Sequence, residues 1–472
     1  MSEYDAVVVG SGPNGLMAAI TMARAGRRTV VLEAAPAPGG GSRSAALTEP
    51  GFVHDVCSSV HPTAVASPAF ATVPLAARGV EWCHPEIALA HPLAGGRAGL
   101  VHRSVDDTAR GLGSDADAYR SLMGRYVAKA TQVSETLFSP LGIPRVPFTM
   151  ARFGLDAIRS VQGLTTRRFD GDEARAILAG SAAHSMVALD APGSAGYGMF
   201  LTLLAHAVGW PVAAGGSQRI ADALVAELAA HGGEVVTDHE VTSLSDLPPA
   251  RSVLLDITPR QLLALGGDRV PTRYRRTLRR YRYGPGVFKI DWALSGPVPW
   301  TNPDVGRAAT VHVGGTIDEI AASEAEVLAG RVPTRPFVIF VQAAVADPSR
   351  APAGRHTGWA YCHVPNGSTI DCTEAIEAQV ERFAPGFRDT ILARHTMHAA
   401  GMEAYDANYV GGDINGGAGT VRQIFTRPAV SPRPWVTPIP RTYLCSSATP
   451  PGGGVHGMCG WHAARAALRR DD

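Results

Sequence analysis

Residues 5–41 hold the feature that most constrains what this chain can fold into. Ala6-Val-Val-Val9 runs straight into Gly10-x-Gly12-x-x-Gly15. Leu16 to Ala25 then reads as a small-residue helix stopped by Gly26, and a second apolar run, Thr29 to Leu32, ends in Glu33. Strand, glycine turn, helix, strand and acid in this order make the unit that seats a dinucleotide pyrophosphate on a helix N-terminus. Gly10 permits the tight turn, Gly12 keeps a side chain out of the path of the phosphates, and Gly15 lets helix and strand pack closely. Gly10, Gly12, Pro13, Asn14 and Gly15 are therefore assigned to a cofactor, as are Glu33 and the adjoining Ala34. The Glu33 carboxylate suits ribose hydroxyls and repels a 2′-phosphate, which disfavours NADP.

Gly39-Gly40-Gly41-Ser42-Arg43 follows Glu33 after a proline-containing linker. These glycines bring a second loop to the same pyrophosphate, and Arg43 can neutralise it. At this point the sequence resembles the flavin amine oxidase and phytoene desaturase superfamily, in which a glycine doublet follows the ribose acid and the cofactor is FAD. That superfamily's Arg directly after the doublet is Gly41 here, so the resemblance leaves Arg43 to take its place.

The other end of the chain carries a matching signal. Tyr443-Leu-Cys-Ser446-Ser447 is an apolar strand entering Thr-Pro-Pro-Gly452-Gly453-Gly454-Val455-His456, and a small-residue helix follows. Consecutive glycines let backbone N–H groups reach a ring edge, and the helix dipole stabilises negative charge there. With the resemblance, Ser446, Ser447, Gly453, Gly454, Val455 and His456 are expected against the flavin. Within the superfamily the chain is similar to the phytoene desaturase-like branch and to the group of pyridine nucleotide-disulfide oxidoreductase domain-containing protein 2. The likeness is strongest over 5–60, 209–300 and 357–468. Two departures stand out: Ser446 replaces a glycine of that group and Pro450 replaces its His.

In between, Gly215-Gly-Ser-Gln-Arg-Ile opens an amphipathic helix stopped by Gly232-Gly233, and Glu234-Val-Val and His239-Glu-Val241-Thr-Ser-Leu read as strands. The resemblance places the backbone of Val241 on the adenine. Arg251 to Pro259 fits the next strand of the sheet and its exit turn. Gly286 to Leu294 reads as a strand with Val287, Lys289 and Asp291 on one side. Lys289 is one of only two lysines among 43 basic residues. It is either an edge-strand lysine in water or a cavity residue, and the superfamily holds a water near flavin N5 with a lysine in a comparable strand. Lys289, with His54 and His61 of the polar stretch 51–62, are the catalytic candidates. Residues 75–205 read as mostly helical. Leu137-Phe-Ser-Pro-Leu-Gly-Ile-Pro144 reads as a buried connector, with a lid or a membrane-touching patch as alternatives. Arg273 to Tyr283 reads as a solvated helix rather than a site for lipid or nucleic acid. Gly411 to Thr420 lacks the frame of a second nucleotide site.

The expected fold is α/β, a discontinuous Rossmann-type FAD-binding domain (1–75, 206–285 and 406–472) with an inserted α+β substrate domain (76–205 and 286–405). With 472 residues, 18% charged and net +1, the chain does not read as a nucleic-acid binder. No Cys-x-x-Cys occurs among its six cysteines, so disulfide-reductase and zinc-cluster chemistry lack a motif. No signal peptide or spanning segment is visible, and a cytoplasmic protein is the default expectation. The resemblance implies FAD-dependent dehydrogenation or oxidation of a small or apolar organic substrate, with hydride passing to N5 and O2 or a quinone reoxidising the flavin. Amine oxidation, redox-neutral isomerisation of a polyene and a non-catalytic flavoprotein partner are the alternatives.

Overall fold

The computed structural model describes residues 4–140 and 142–471. Ala6–Val9 and Thr29–Leu32 are strands buried at every residue, with the helix Pro13–Arg24 between them. Apolar runs without alternation need cover on both faces, which a parallel sheet crossed by helices supplies. That sheet has five parallel strands in the order Thr442–Leu444, Ser252–Leu255, Ala6–Val9, Thr29–Leu32, Glu234–Val236. Three separate stretches of chain thus build one layer. Val9 is in register with Leu32 on one side and Leu255 on the other, so three strand ends stand level at the glycine turn. The last helix, Met458–Asp471, packs on Pro13–Arg24. A Cβ on Gly460 would lie 1.8 Å from the Asn14 carbonyl oxygen, so the two helices meet backbone to backbone.

The second sheet has seven strands in the order Ile391–Met397, Gly286–Leu294, His356–Val364, Val338–Val341, Thr310–Val313, Leu89–Pro92, Ala98–Val101. Its pairs are antiparallel except that of Thr310–Val313 with Leu89–Pro92. Helices Asp172–Ala183 and Ser194–Ala207 cover one face, where Ile177, Leu178, Met199 and Leu203 share a core with Ile339, Trp359 and Tyr361. The architecture is α/β, a discontinuous Rossmann-type unit with an inserted α+β unit.

Two expectations need correction. Residues 239–244 form no strand. The sheet ends at Val236, and His239 instead donates its N–H to the Glu33 carbonyl at 2.8 Å. Region 75–205 is mostly helical, as expected, and also supplies Leu89–Pro92 and Ala98–Val101, which close one edge of the second sheet. The connector after Phe138 is not buried: Phe138 is, but Ile143 and Phe148 are 96% and 91% exposed. Leu141 of that stretch lies outside the described residues. The basic run is a short helix, Thr272–Leu278, with Arg273 and Arg276 exposed, as expected.

Candidate active site

A cavity of about 740 Å³ runs along the carboxyl ends of the parallel strands, the position at which open α/β sheets bind ligands. Gly10, Gly12, Pro13 and Asn14 of the first turn line it, with Glu33 and Ala34. Gly40, Gly41, Ser42 and Arg43 form a second wall, and Val241 lies at the Glu33 end. From the other terminus come Ser446, Ser447, Gly454 and Val455. The two glycine turns, more than four hundred residues apart in sequence, therefore share one cleft.

The first turn has no room for side chains. Gly10 has φ +94°, and a Cβ on Gly15 would sit 2.0 Å from the Gly10 carbonyl oxygen. Gly15 does not itself line the cavity; its part is this close approach. Glu33 is held in place: Oε2 accepts the Ser11 N–H at 2.8 Å and the Ser11 hydroxyl at 2.5 Å, and Oε1 accepts the Ala35 N–H at 2.9 Å. Asn14 Oδ1, Ser42 Oγ, Tyr405 Oη and Asn408 Oδ1 are buried atoms of cavity-lining residues with no hydrogen-bond partner among the described residues. Buried polar atoms are rarely left so. A ligand rich in hydroxyls and phosphate oxygens fits them.

Gly41 explains itself through Tyr409. A Cβ on Gly41 would lie 2.0 Å from the Tyr409 hydroxyl, so no arginine fits there. Arg43 stays at the cavity wall. Its Nε donates to the Gly40 carbonyl at 3.0 Å, and its guanidinium lies 4.3 Å from the centre of the Tyr405 ring. Asp256, just past the strand Ser252–Leu255, is a cavity residue that no motif singles out. Its Oδ2 accepts the Gly15 N–H at 2.9 Å. Burial, with Asp406 and Glu33 nearby, pushes its carboxyl up to about 8 against the opposing Gly15 hydrogen bond. Burial likewise raises Asp406.

The family model of an NAD(P)-binding Rossmann-like domain matches residues 8–73. A Rattus norvegicus protein named pyridine nucleotide-disulfide oxidoreductase domain-containing protein 2 is 24% identical, over 99% of this chain and 94% of its own length. Among solved structures, an oxidoreductase from Methanosarcina mazei superposes with a TM-score of 0.66 at 16% identity, covering 98% of this chain and 99% of its own. Putrescine oxidase bound to putrescine gives 0.61 at 16%, covering 99% of each chain. The chain thus carries an NAD(P)-binding Rossmann-like unit at residues 8–73 and is similar over nearly its whole length to proteins named as oxidoreductases. The resemblance read from its two glycine turns holds, and the fold is that of these two solved proteins.

The catalytic candidates fare differently: Lys289, His54 and His61 do not line the cavity. Gly286–Leu294 is an inner strand, between Ile391–Met397 and His356–Val364, so Lys289 is neither an edge residue nor a cavity residue. It is 1% exposed and ion-paired with Asp291, and is the cross-strand neighbour of Tyr361, which does line the cavity. His54 Nδ1 is 3.7 Å from the same Asp291, and its Nε2 is 2.7 Å from the Thr48 hydroxyl. Burial holds His54 down at about 4, with Asp291 opposing. His61 meets the Ser217 hydroxyl at 2.8 Å and is also lowered to about 4 by burial. Between them, Asp55 is the hub of a structural network. It accepts from the Ser44 and Ser59 hydroxyls, the Ser217 N–H and buried Arg350. Burial works to raise Asp55, but Arg350 and these donors outweigh it and hold the carboxyl at about 2.

Two residues assigned to the cofactor also lie off the cavity. Gly453 packs against Asn415, and His456 is buried, its Nδ1 accepting the Met458 N–H at 3.0 Å. His456 thus stiffens the turn into the last helix. In the opposite sense, the stretch after Gly411 does reach the cavity, through Ile414, Asn415 and Gly416.

At the end away from Glu33, the wall is Val60, Ile339, Trp359, Tyr361, Ile414 and His184. Trp359 and Tyr361 come from one face of His356–Val364, their rings edge to face at 5.3 Å. His184 Nε2 is 2.8 Å from His312 Nε2. Burial lowers His184 to about 3 and His312 further, so the pair is neutral at physiological pH. None of these six carries a charge there. Sequence reasoning missed all of them; the one signal available was the two-residue spacing of Trp359 and Tyr361, which puts both on one face of a strand.

Proposed function

We propose that the chain binds FAD and oxidises a C–H bond of an uncharged, largely apolar organic substrate. The observation that carries this reading is the convergence of the N-terminal and C-terminal glycine turns on one cavity whose far end is aromatic, aliphatic and uncharged. FAD, when bound, supplies the hydride acceptor, and O2 or a quinone then takes the electron pair. The Gly10–Asn14 turn and the N-terminus of Pro13–Arg24 would hold the pyrophosphate, and Glu33 the ribose. Ser446 to Ala448 and Gly454 would hold the ring system.

The residues around the substrate orient it and exclude water. Trp359, Tyr361 and Ile339 supply a dry wall against which a carbon chain is held within reach of the acceptor, ~3–3.5 Å. The neutral His184–His312 pair offers one hydrogen bond to a polar atom of the substrate without adding charge. Burial keeps the Tyr361 and Tyr409 hydroxyls protonated and the Cys57 thiol up at about 11, so these groups are donors rather than bases. Hydride loss from carbon, not proton abstraction by a strong base, is the chemistry such a wall favours. It also disfavours a cationic amine, which finds no carboxylate among the six residues at that end.

The test is anaerobic bleaching of the flavin-loaded protein against neutral polyenes and alcohols on one side and primary amines on the other. Bleaching by a neutral compound, with loss of two hydrogens from the product mass, supports the proposal. Bleaching by amines alone would overturn the substrate class.

A further inference from the structure

Away from the cavity, the largest departure from ordinary burial lies at residues 142–159. Ile143, Phe148, Leu155 and Ile158 are 96%, 91%, 69% and 51% exposed. Single exposed apolar side chains are commonplace, but four large ones in one short segment mark a contact surface. Pro147–Ala157 is a helix on which Phe148 and Leu155, seven residues apart, share a face with Arg152. Its other side is anchored: Phe153 is buried, and buried Asp156 accepts the Tyr126 hydroxyl at 2.8 Å and lies 3.5 Å from Arg168. One stripe of the helix holds the protein and a second apolar stripe faces outward.

The exposed charges carried by residues 142–159 themselves are of one sign. Arg145, Arg152 and Arg159 are exposed, and the only acid of 142–159 is the buried Asp156. Beside them, Ile143, Pro144 and Arg145 share a groove with Trp461, Arg465 and Arg469 of the last helix, Arg465 lying 4.4 Å over the Trp461 ring; the one acid of that groove, Glu135, is paired with Arg145 at 3.0 Å, which leaves the other arginines in excess. Apolar side chains ringed by arginines match the boundary between acyl chains and anionic headgroups. A second copy of the chain matches poorly, because a two-fold contact would set this arginine ring against itself. Among the described residues no helix is long and apolar enough to cross a membrane, so the contact is with the surface.

We propose that this face docks on a bilayer that carries anionic lipid, its four apolar side chains entering the headgroup–acyl boundary and its arginines meeting the phosphates. The inference does not depend on the reaction catalysed. The experiment is sedimentation of the flavin-loaded full chain with vesicles of phosphatidylcholine alone or mixed with phosphatidylglycerol. Binding is expected to the mixed vesicles and to fall with salt. Each arginine near an anionic surface contributes roughly fivefold to partitioning, so the double variant Arg152→Glu/Arg159→Glu should bind at least about 25-fold more weakly. Phe148→Ser/Leu155→Ser should bind at least about tenfold more weakly. Because all four positions are exposed, flavin content should be unchanged in both variants. No sedimentation with the mixed vesicles would overturn the proposal, and so would binding that neither variant weakens. A wild-type dimer that either double variant dissociates would also overturn it, by assigning the face to self-association.

Discussion

Replacing Asp256 with Asn keeps the shape of the side chain and removes its titration. In the folded protein this carboxyl is 6% exposed and bonded to the Gly15 N–H. Burial first, then Asp406 and Glu33, lift it from 3.8 to about 8. In the unfolded chain it ionises near its ordinary value. Between these two limits the unfolded state gives up a proton that the folded state keeps. A group with a raised folded value contributes its full stability at low pH and loses it as pH rises. The loss is about 1.4 kcal/mol per pH unit, or about 4 kcal/mol by pH 7. Asp256→Asn carries no such loss, and its amide oxygen can still accept the Gly15 N–H. Urea unfolding of the flavin-free proteins across this range should show the variant more stable by roughly 4 kcal/mol at pH 7 and nearly equal to wild type at pH 4. Added pyrophosphate would raise the carboxyl further, so wild-type FAD affinity should fall about tenfold per unit above pH 8 while the variant's stays level. Parallel stability curves for the two proteins would refute a neutral, buried Asp256.

Four further outcomes follow from the site. Gly15→Val would drive a Cβ into the Gly10 carbonyl, so flavin titration should find no binding at concentrations that saturate wild type. Arg350→Met leaves the Asp55 carboxylate buried without its cation, and denaturant unfolding should show a loss of about 3–5 kcal/mol. Lys289→Met strands Asp291 in the same way, with a similar loss of stability, yet stopped-flow flavin reduction in the folded fraction should match wild type because Lys289 lies off the cavity. His184→Phe keeps a ring in the wall but loses its nitrogens, so flavin content should hold while kcat/KM for a bleaching substrate drops by about tenfold.

What could be read from the sequence was whatever is local. Strand, turn, helix and acid lie within residues 5–41, and the tightest approach of the turn, Gly15 on the Gly10 carbonyl, lies inside that unit. The C-terminal turn was legible for the same reason. The substrate end was not. His184, Ile339, Trp359 and Ile414 come from four distant stretches, and only the packing of two helices over the second sheet brings them together. Alternation put Lys289 on the correct face of its strand but carries no information on sheet order or on what covers that face. His54 and His61 looked catalytic because their neighbourhood is polar, yet that polarity serves the Asp55–Arg350 network. Tyr409 solves the absence of an arginine at position 41, a relation no spacing rule reveals.

The central claim is that the two ends of the chain grip one flavin nucleotide. Titration of the purified, flavin-free protein with FAD, followed by absorbance and flavin fluorescence, tests it most directly. The account predicts saturation at one FAD per chain, with the bound spectrum lost in Gly15→Val. A correctly folded protein that takes up no FAD, or takes it up equally well in that variant, would contradict it.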